Sequence, residues 1–336
     1  MLEHGGGLNH AAARYGIPLE HWLDLSTGIN ADGWPVPAPP ESCWQRLPEE
    51  DDGLLEAAQG YYGSDALLAV AGSQAAIQLL PKLRTRCRVG LFAPAYAEHA
   101  HAWQVQGHDV TVLNEDAPDI DACDVVVVIN PNNPSGRLWP PQVLQDWQER
   151  LALRDGWLVV DEAFMDATPT HSVIRRGPAS EGLVVLRSLG KFFGLAGLRV
   201  GFVHAWPSLL LALREVLGPW SIAHPSRWVA TRALQDQDWQ EAMRSRLQQR
   251  ASRLASLLSE YGFEPAGGTA LFQWVRSSRA RALQDALACQ AVWVRGFDEP
   301  SSLRFGLPVT APQWLQLERA LQAAVANREI GVAHEA

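Results

Sequence analysis

The chain has 336 residues, 47% hydrophobic and 19% charged, with a formal net charge of −9 at neutral pH and a pI near 5.6. This length and composition describe a folded protein of two domains, not a disordered or fibrous one. The acidic balance, without any run of lysine and arginine, argues against nucleic acid and anionic membrane surfaces as partners.

The first residues, Met1-Leu-Glu-His4-Gly-Gly-Gly7, lack the basic-then-apolar pattern of a secretory signal, and no apolar run reaches the length of a membrane span. Residues 1 to about 45 are rich in glycine and proline, as in Trp34-Pro-Val-Pro-Ala-Pro-Pro40, and are expected to drape over the remainder. Cys43, Cys87, Cys123 and Cys289 show no paired spacing for zinc or a redox couple. They read as reduced thiols in a cytoplasmic protein with no metal site.

Further along, short apolar runs alternate with helical stretches. The predicted strands are 67–71, 88–92, 109–113, 124–129, 157–161, 183–187 and 200–204. Between them lie predicted helices at 73–80, 99–106, 141–153 and 208–217. Continuous β-branched runs such as Val125-Val-Val-Val-Ile129 are those of strands covered on both faces. The alternation predicts an α/β domain around a mostly parallel seven-stranded sheet. After about residue 220 come a long helix (238–261), a strand (270–275), a helix (279–289), two strands (292–295 and 303–306) and a final helix (312–327). That is a smaller α+β domain. The boundaries drawn from this reading are 46–219 for the large domain, with 1–45 and 220–336 forming the small one.

Five motifs fall where predicted strands end, the usual place for ligands in open α/β sheets. Gly72-Ser73-Gln74 offers backbone N–H groups at a helix start, which suit a phosphate, although an ordinary cap would look the same. Pro94-Ala-Tyr96-Ala-Glu-His99 presents two rings, either of which could stack on an aromatic ligand; the residues do not choose between Tyr96 and His99. In Asn130-Pro-Asn-Asn133-Pro-Ser-Gly136, prolines stiffen a turn whose Asn133 can donate to a phenolic oxygen. Asp161 opens Asp-Glu-Ala-Phe164; a carboxylate buried at a strand end needs a partner, and a protonated pyridine nitrogen is one. Finally, Ser188-Leu-Gly-Lys191 leads to Arg199 and Gly201. A lysine among apolar neighbours is available as a nucleophile toward an aldehyde, and Ser188 and Arg199 suit an oxyanion. An aldehyde carrying a phosphate points to pyridoxal 5'-phosphate.

In this order the five motifs closely resemble the fold type I, aminotransferase-like pyridoxal-phosphate enzymes, across nearly the whole chain. The resemblance implies that Lys191 bonds the cofactor's aldehyde carbon, Asp161 pairs with its ring nitrogen and Asn133 contacts its phenolic oxygen. Gly72, Ser73, Gln74, Ser188 and Arg199 would hold the phosphate, with Tyr96 or His99 against the ring. Arg304, in Leu303-Arg-Phe-Gly306, matches the arginine for a substrate's carboxylate. A homodimer is also implied.

Two departures stand out. Phe164 replaces a tyrosine common three residues after the aspartate, and Leu47-Pro48 replaces a Tyr-Pro pair. His4-Gly-Gly-Gly7 followed by Leu23-Asp-Leu-Ser-Thr-Gly-Ile-Asn30 is similar to the opening of threonine-phosphate decarboxylases of cobalamin biosynthesis. By that likeness His4 and Asn30, with Arg295, would hold a phosphorylated amino-acid substrate. The alternative on the same scaffold is an aminotransferase such as one acting on histidinol phosphate.

Overall fold

A computed structural model of the chain describes residues 4–174 and 179–332. In chain order its strands are β1 (Leu23–Asp24), β2 (Leu67–Val70), β3 (Arg88–Leu91), β4 (Asp109–Val112), β5 (Val125–Ile129), β6 (Trp157–Asp161) and β7 (Leu183–Ser188). They continue with β8 (Gly201–His204), β9 (Pro265–Thr269), β10 (Phe272–Arg276), β11 (Val292–Trp293), β12 (Arg295–Phe297) and β13 (Ser302–Gly306). The chain divides into two compact units, 33–133 with 137–242, and 1–32 with 134–136 and 243–336.

The larger unit holds the seven predicted strands in one sheet of order β2-β8-β7-β6-β5-β3-β4. Only β8 runs against its neighbours; the other pairings are parallel. Every residue of β5 and β6 is buried, which explains their unbroken apolar character. Side chains alternate across the sheet. Val125 and Val127 join one core with Trp103, Ile77 and Leu213, while Val126 and Val128 join another with Leu144, Trp147 and Leu151. Burial of each such side chain stabilises the sheet by about 1.5–3 kcal/mol. Because these strands share a direction, their carboxyl ends, and the motifs that follow them, gather along one edge. Gly201 is register partner to both Val70 and Ser188, drawing the first and last motifs together. A Cβ there would stand 2.6 Å from Ser73 N and 2.7 Å from the Arg187 carbonyl, so only glycine fits.

His204, at the end of β8, is buried and shares a 3.0 Å hydrogen bond with Ser64 Oγ through Nδ1. Burial pushes its pKa down to about 4, against 6.5 for an ordinary histidine. The unfolded chain therefore takes up a proton that the folded one refuses between these values. Stability is complete above pH 6.5 and falls as pH drops toward 4, by about 3 kcal/mol from this one residue. Urea unfolding at pH 7 and pH 4.5 should show this loss in the wild type and a flatter response in His204→Asn; equal slopes would refute the assignment.

The smaller unit has an antiparallel sheet of order β12-β13-β10-β9, and a separate parallel pair, β1 with β11. Along the helix Gln237–Glu260, the residues Met243, Leu247, Ala251, Leu254 and Leu258 are buried, three or four apart. Tyr15, Trp22 and Trp293 form an aromatic cluster with ring centroids 6.0–6.4 Å apart. Among the described residues no helix is long and apolar enough to cross a membrane.

The compact units divide at 32/33 and 242/243. Local bonds tie the flanking segments to the larger unit. Trp34 gives its backbone N–H to the Phe193 carbonyl (2.9 Å) and its indole N–H to Asp236 (2.9 Å), fixing residues 33–45 in the larger unit. Helix His224–Gln235 is held there by a bidentate pair between Arg227 and Asp52 (2.6 and 2.7 Å). Residues 4–32 also do more than drape, since they supply the helix Leu8–Tyr15 and strand β1.

Candidate active site

At the carboxyl edge of the large sheet, Asp161 ends β6 almost fully buried. Its Oδ2 lies 2.8 Å from His99 Nε2, and its Oδ1 accepts the Ala163 N–H at 3.0 Å. The buried carboxylate is thus held by a ring that is itself only 1% exposed. His99 braces Asp161, whereas Tyr96 is half-buried at the loop–helix junction and donates its hydroxyl to Gln74 Oε1 (3.3 Å). Gln74 in turn donates to Glu98 (2.8 Å). Burial, with Glu98 and Asp161 nearby, pushes the Tyr96 hydroxyl up to about 12, so it stays a neutral donor.

In the Asn130–Gly136 turn two of the three asparagines serve the backbone. Asn130 binds the Trp139 N–H (2.7 Å) and carbonyl (3.3 Å), and Asn132 donates to the Pro94 carbonyl (2.8 Å). Asn133 is half-buried at the tip of the larger unit's share of this turn. Arg199 has a left-handed backbone (φ 54°), is exposed, and donates to the Ala196 carbonyl (3.1 Å). Its guanidinium lies across Gly72, where an added Cβ would come within 2.6 Å of it. Ser73 and Gln74 follow Gly72 at the start of the helix Ser73–Leu79, and Ser188 Oγ accepts the Gly190 N–H (3.2 Å). The sheet register therefore brings Gly72, Ser73, Ser188 and Arg199 to one place. Lys191 Nζ lies 5.3 Å from the centroid of the buried Phe164 ring. The missing tyrosine hydroxyl is consequently replaced by an aromatic face directed at the lysine.

Sequence reading passed over a group just beneath. Arg187 is buried with Glu162 and Asp166, donating to Glu162 Oε2 (2.5 Å) and to Asp166 Oδ1. Glu162 also accepts from Ser172 Oγ (2.6 Å) and the Val173 N–H (2.7 Å). Burial works against the Arg187 charge, but Asp166 and Glu162 hold its proton more firmly than on an ordinary arginine. The signal was present: a lone charge ends the apolar run Leu183-Val-Val-Leu-Arg187, and Glu162 adjoins Asp161.

The remaining expected residues belong to the smaller unit. Arg304 is buried in β13, donates to the Ser26 carbonyl (2.5 Å), and lies 5.1 Å from the Phe272 ring centroid. Burial and Arg295 push it down to about 9, with Asp24 opposing. Arg295 is its register partner across the β12–β13 pair. Two like charges facing each other on neighbouring strands are unfavourable unless an anion joins them. Arg295 also donates to the His4 carbonyl (3.1 Å), so His4 is held beside this pair. Asn30 is buried, and its amide donates to the Asp32 carbonyl (3.1 Å) while its oxygen accepts the Asp32 N–H (3.0 Å), closing a local turn. Among the described residues no cluster of histidine, cysteine and carboxylates could hold a metal ion.

The family model described as aminotransferase class I and II matches residues 48–323. The chain is 52% identical to a threonine-phosphate decarboxylase of Pseudomonas aeruginosa, covering 96% of this chain and 97% of that protein. It is 40% identical to another from Sinorhizobium sp, covering 98% and 99%. Among solved structures, the histidinol-phosphate aminotransferase of Sinorhizobium meliloti in complex with pyridoxal-5'-phosphate superposes with a TM-score of 0.83 at 18% identity, covering 96% of this chain and 95% of that one. The last likeness is one of fold.

Proposed function

This chain belongs to the aminotransferase class I and II family, and from that premise we propose that it decarboxylates L-threonine O-3-phosphate to (R)-1-aminopropan-2-ol O-2-phosphate. The observation that carries this reading is the 52% identity to a threonine-phosphate decarboxylase over nearly the full length of both chains. The cofactor is pyridoxal 5'-phosphate.

The donor set fits that group. A buried, oriented carboxylate (Asp161) suits a protonated ring nitrogen, and Lys191 suits an aldehyde. Gly72 and Gly201 let backbone and the Arg199 guanidinium pack closely, which gathers Ser73, Ser188 and Arg199 as donors suited to a phosphate. In this reading Tyr96 lies against the ring and Asn133 donates to the phenolic oxygen. When bound, the cofactor supplies an electron sink for the pair left behind as carbon dioxide departs. Asp161 keeps the ring-nitrogen proton in place, and His99 keeps Asp161 turned toward it. Arg304 takes the substrate carboxylate, with His4, Asn30 and Arg295 on its phosphate. The reaction loses carbon dioxide and gains one proton at Cα, carried by the Lys191 amine. Phe164 offers no hydroxyl to compete for that proton.

Carbon dioxide release from L-threonine O-3-phosphate should proceed with no 2-oxoacid present. A requirement for 2-oxoglutarate would instead identify an aminotransferase. The product's chemistry supports a place in cobalamin (vitamin B12) biosynthesis, and the unpaired cysteines support a cytoplasmic location. A homodimer is supported by the exposed apolar side chains of Trp44, Leu47 and Trp220 in the larger unit.

A further inference from the structure

Ser26 lies at the crossing of four contacts in the smaller unit and is 1% exposed. Its Oγ accepts the Gly6 N–H (2.8 Å) and donates to Asp24 Oδ1 (2.7 Å), the atom that also accepts the Ser26 N–H (2.8 Å). Its carbonyl accepts from Arg304 Nη2 (2.5 Å), and Gly5 packs so close that a Cβ there would stand 2.5 Å from the same oxygen. The segment His4–Gly7 is moored twice more, by Arg295 on the His4 carbonyl (3.1 Å) and by the Trp293 indole on the Gly6 carbonyl (3.0 Å). The triple glycine of the sequence motif is thereby explained. Gly5 is needed for the close approach, and Gly6 and Gly7 hold left-handed backbones (φ 87° and 70°).

We propose that Ser26 is a positioning residue that couples the grip of Arg304 on the substrate carboxylate to the N-terminal strap His4–Gly7 that meets the substrate phosphate. This rests on the decarboxylase reading above. Asp24 pins both the hydroxyl and the N–H of Ser26, so its carbonyl cannot follow Arg304 when that guanidinium swings. Arg304 is aimed by a fixed acceptor, and the strap hangs from the same residue's side chain. A substrate that fills both ends gains from both ties, whereas a ligand that fills one end gains only from one. Ser26 thus favours amino acids carrying a phosphate over those without one.

The test uses the holoenzyme and two partial ligands, L-threonine, which lacks the phosphate, and O-phosphoethanolamine, which lacks the carboxylate. In Ser26→Ala the inhibition constants of both should rise about fivefold to tenfold, the loss of roughly one hydrogen bond at each end. The KM for L-threonine O-3-phosphate should rise further, with kcat little changed. Ser26→Thr, which keeps the hydroxyl, should restore both constants. A rise in only one constant, or in neither, overturns the coupling. Hydrogen exchange at the Gly6 amide gives a readout independent of substrate: it should accelerate in Ser26→Ala and return in Ser26→Thr. Unchanged exchange overturns the tie even if the decarboxylase reading stands. Failure of the wild type to release carbon dioxide overturns that reading and leaves the exchange result in force. Asp24→Asn, which loosens the same hydroxyl, replaces Ser26→Ala if the latter does not fold.

Discussion

Lys191→Ala is expected to abolish carbon dioxide release, by about a thousandfold or more, while leaving the fold intact. The chain makes this test unusually clean, because Lys82 and Lys191 are its only lysines. Lys82 is exposed in the short turn that follows the helix Ser73–Leu79, whereas Lys191 Nζ is half-sheltered against the Phe164 ring at 5.3 Å. Borohydride reduction of the loaded protein, followed by peptide mass analysis, should therefore mark Lys191 and nothing else. Label on Lys82, or a variant that retains turnover and the visible absorbance of bound cofactor, would remove Lys191 from its assigned role. Because Lys191 sits in a loop and is not part of the main cores, the melting temperature without cofactor should stay within a few degrees of the wild type.

The second large effect concerns the fold beneath the site. Arg187→Ala should cost about 3–5 kcal/mol, a large share of the stability of a typical domain. Glu162 and Asp166 would be left as two fully buried carboxylates facing each other without their cation. The cost belongs chiefly to that uncompensated charge and not to the lost ion pair itself. Replacing Arg187, Glu162 and Asp166 together with apolar residues of similar size should accordingly be less damaging than the single change. Urea midpoints of the three-residue and one-residue variants decide the matter. A single variant that loses less than about 1 kcal/mol would show that water or rearrangement relieves the charge.

Much of this architecture was legible before any coordinates. Strands such as Val125–Ile129 announce themselves because a buried parallel strand needs apolar side chains on both faces, leaving no polar alternation to confuse the pattern. Four of the five motifs were legible as turns whose backbone calls for glycine, proline or asparagine, and Asp161-Glu-Ala-Phe164 as a carboxylate closing an apolar strand. What escaped was of two kinds. β9, which contains Gly267-Gly268, has no side-chain signature; it is defined by pairing with β10, a tertiary fact. Which of the His99 and Tyr96 rings bonds Asp161 is also a tertiary fact, and the chain spacing of the two residues carries no such information. The ties of Trp34 and Arg227 to the larger unit are likewise hidden from the sequence, since their partners lie far away along the chain.

The smaller unit is sewn together from both ends of the chain, with β1 (Leu23–Asp24) lying parallel to β11 (Val292–Trp293) and Ser26 receiving Arg304. The larger unit is nearly continuous, from residue 33 to 242. On the ribosome these two facts set an order of events. The sheet that carries Lys191 and Asp161 can close as soon as residue 242 emerges, while β1 and the Ser26 carbonyl must wait for β11 and β13 to be synthesised. Residues that ride on the large sheet are therefore in place before Ser26 meets Arg304. The ties from Trp293 and Arg295 that moor the strap His4–Gly7 therefore form late in each newly made molecule.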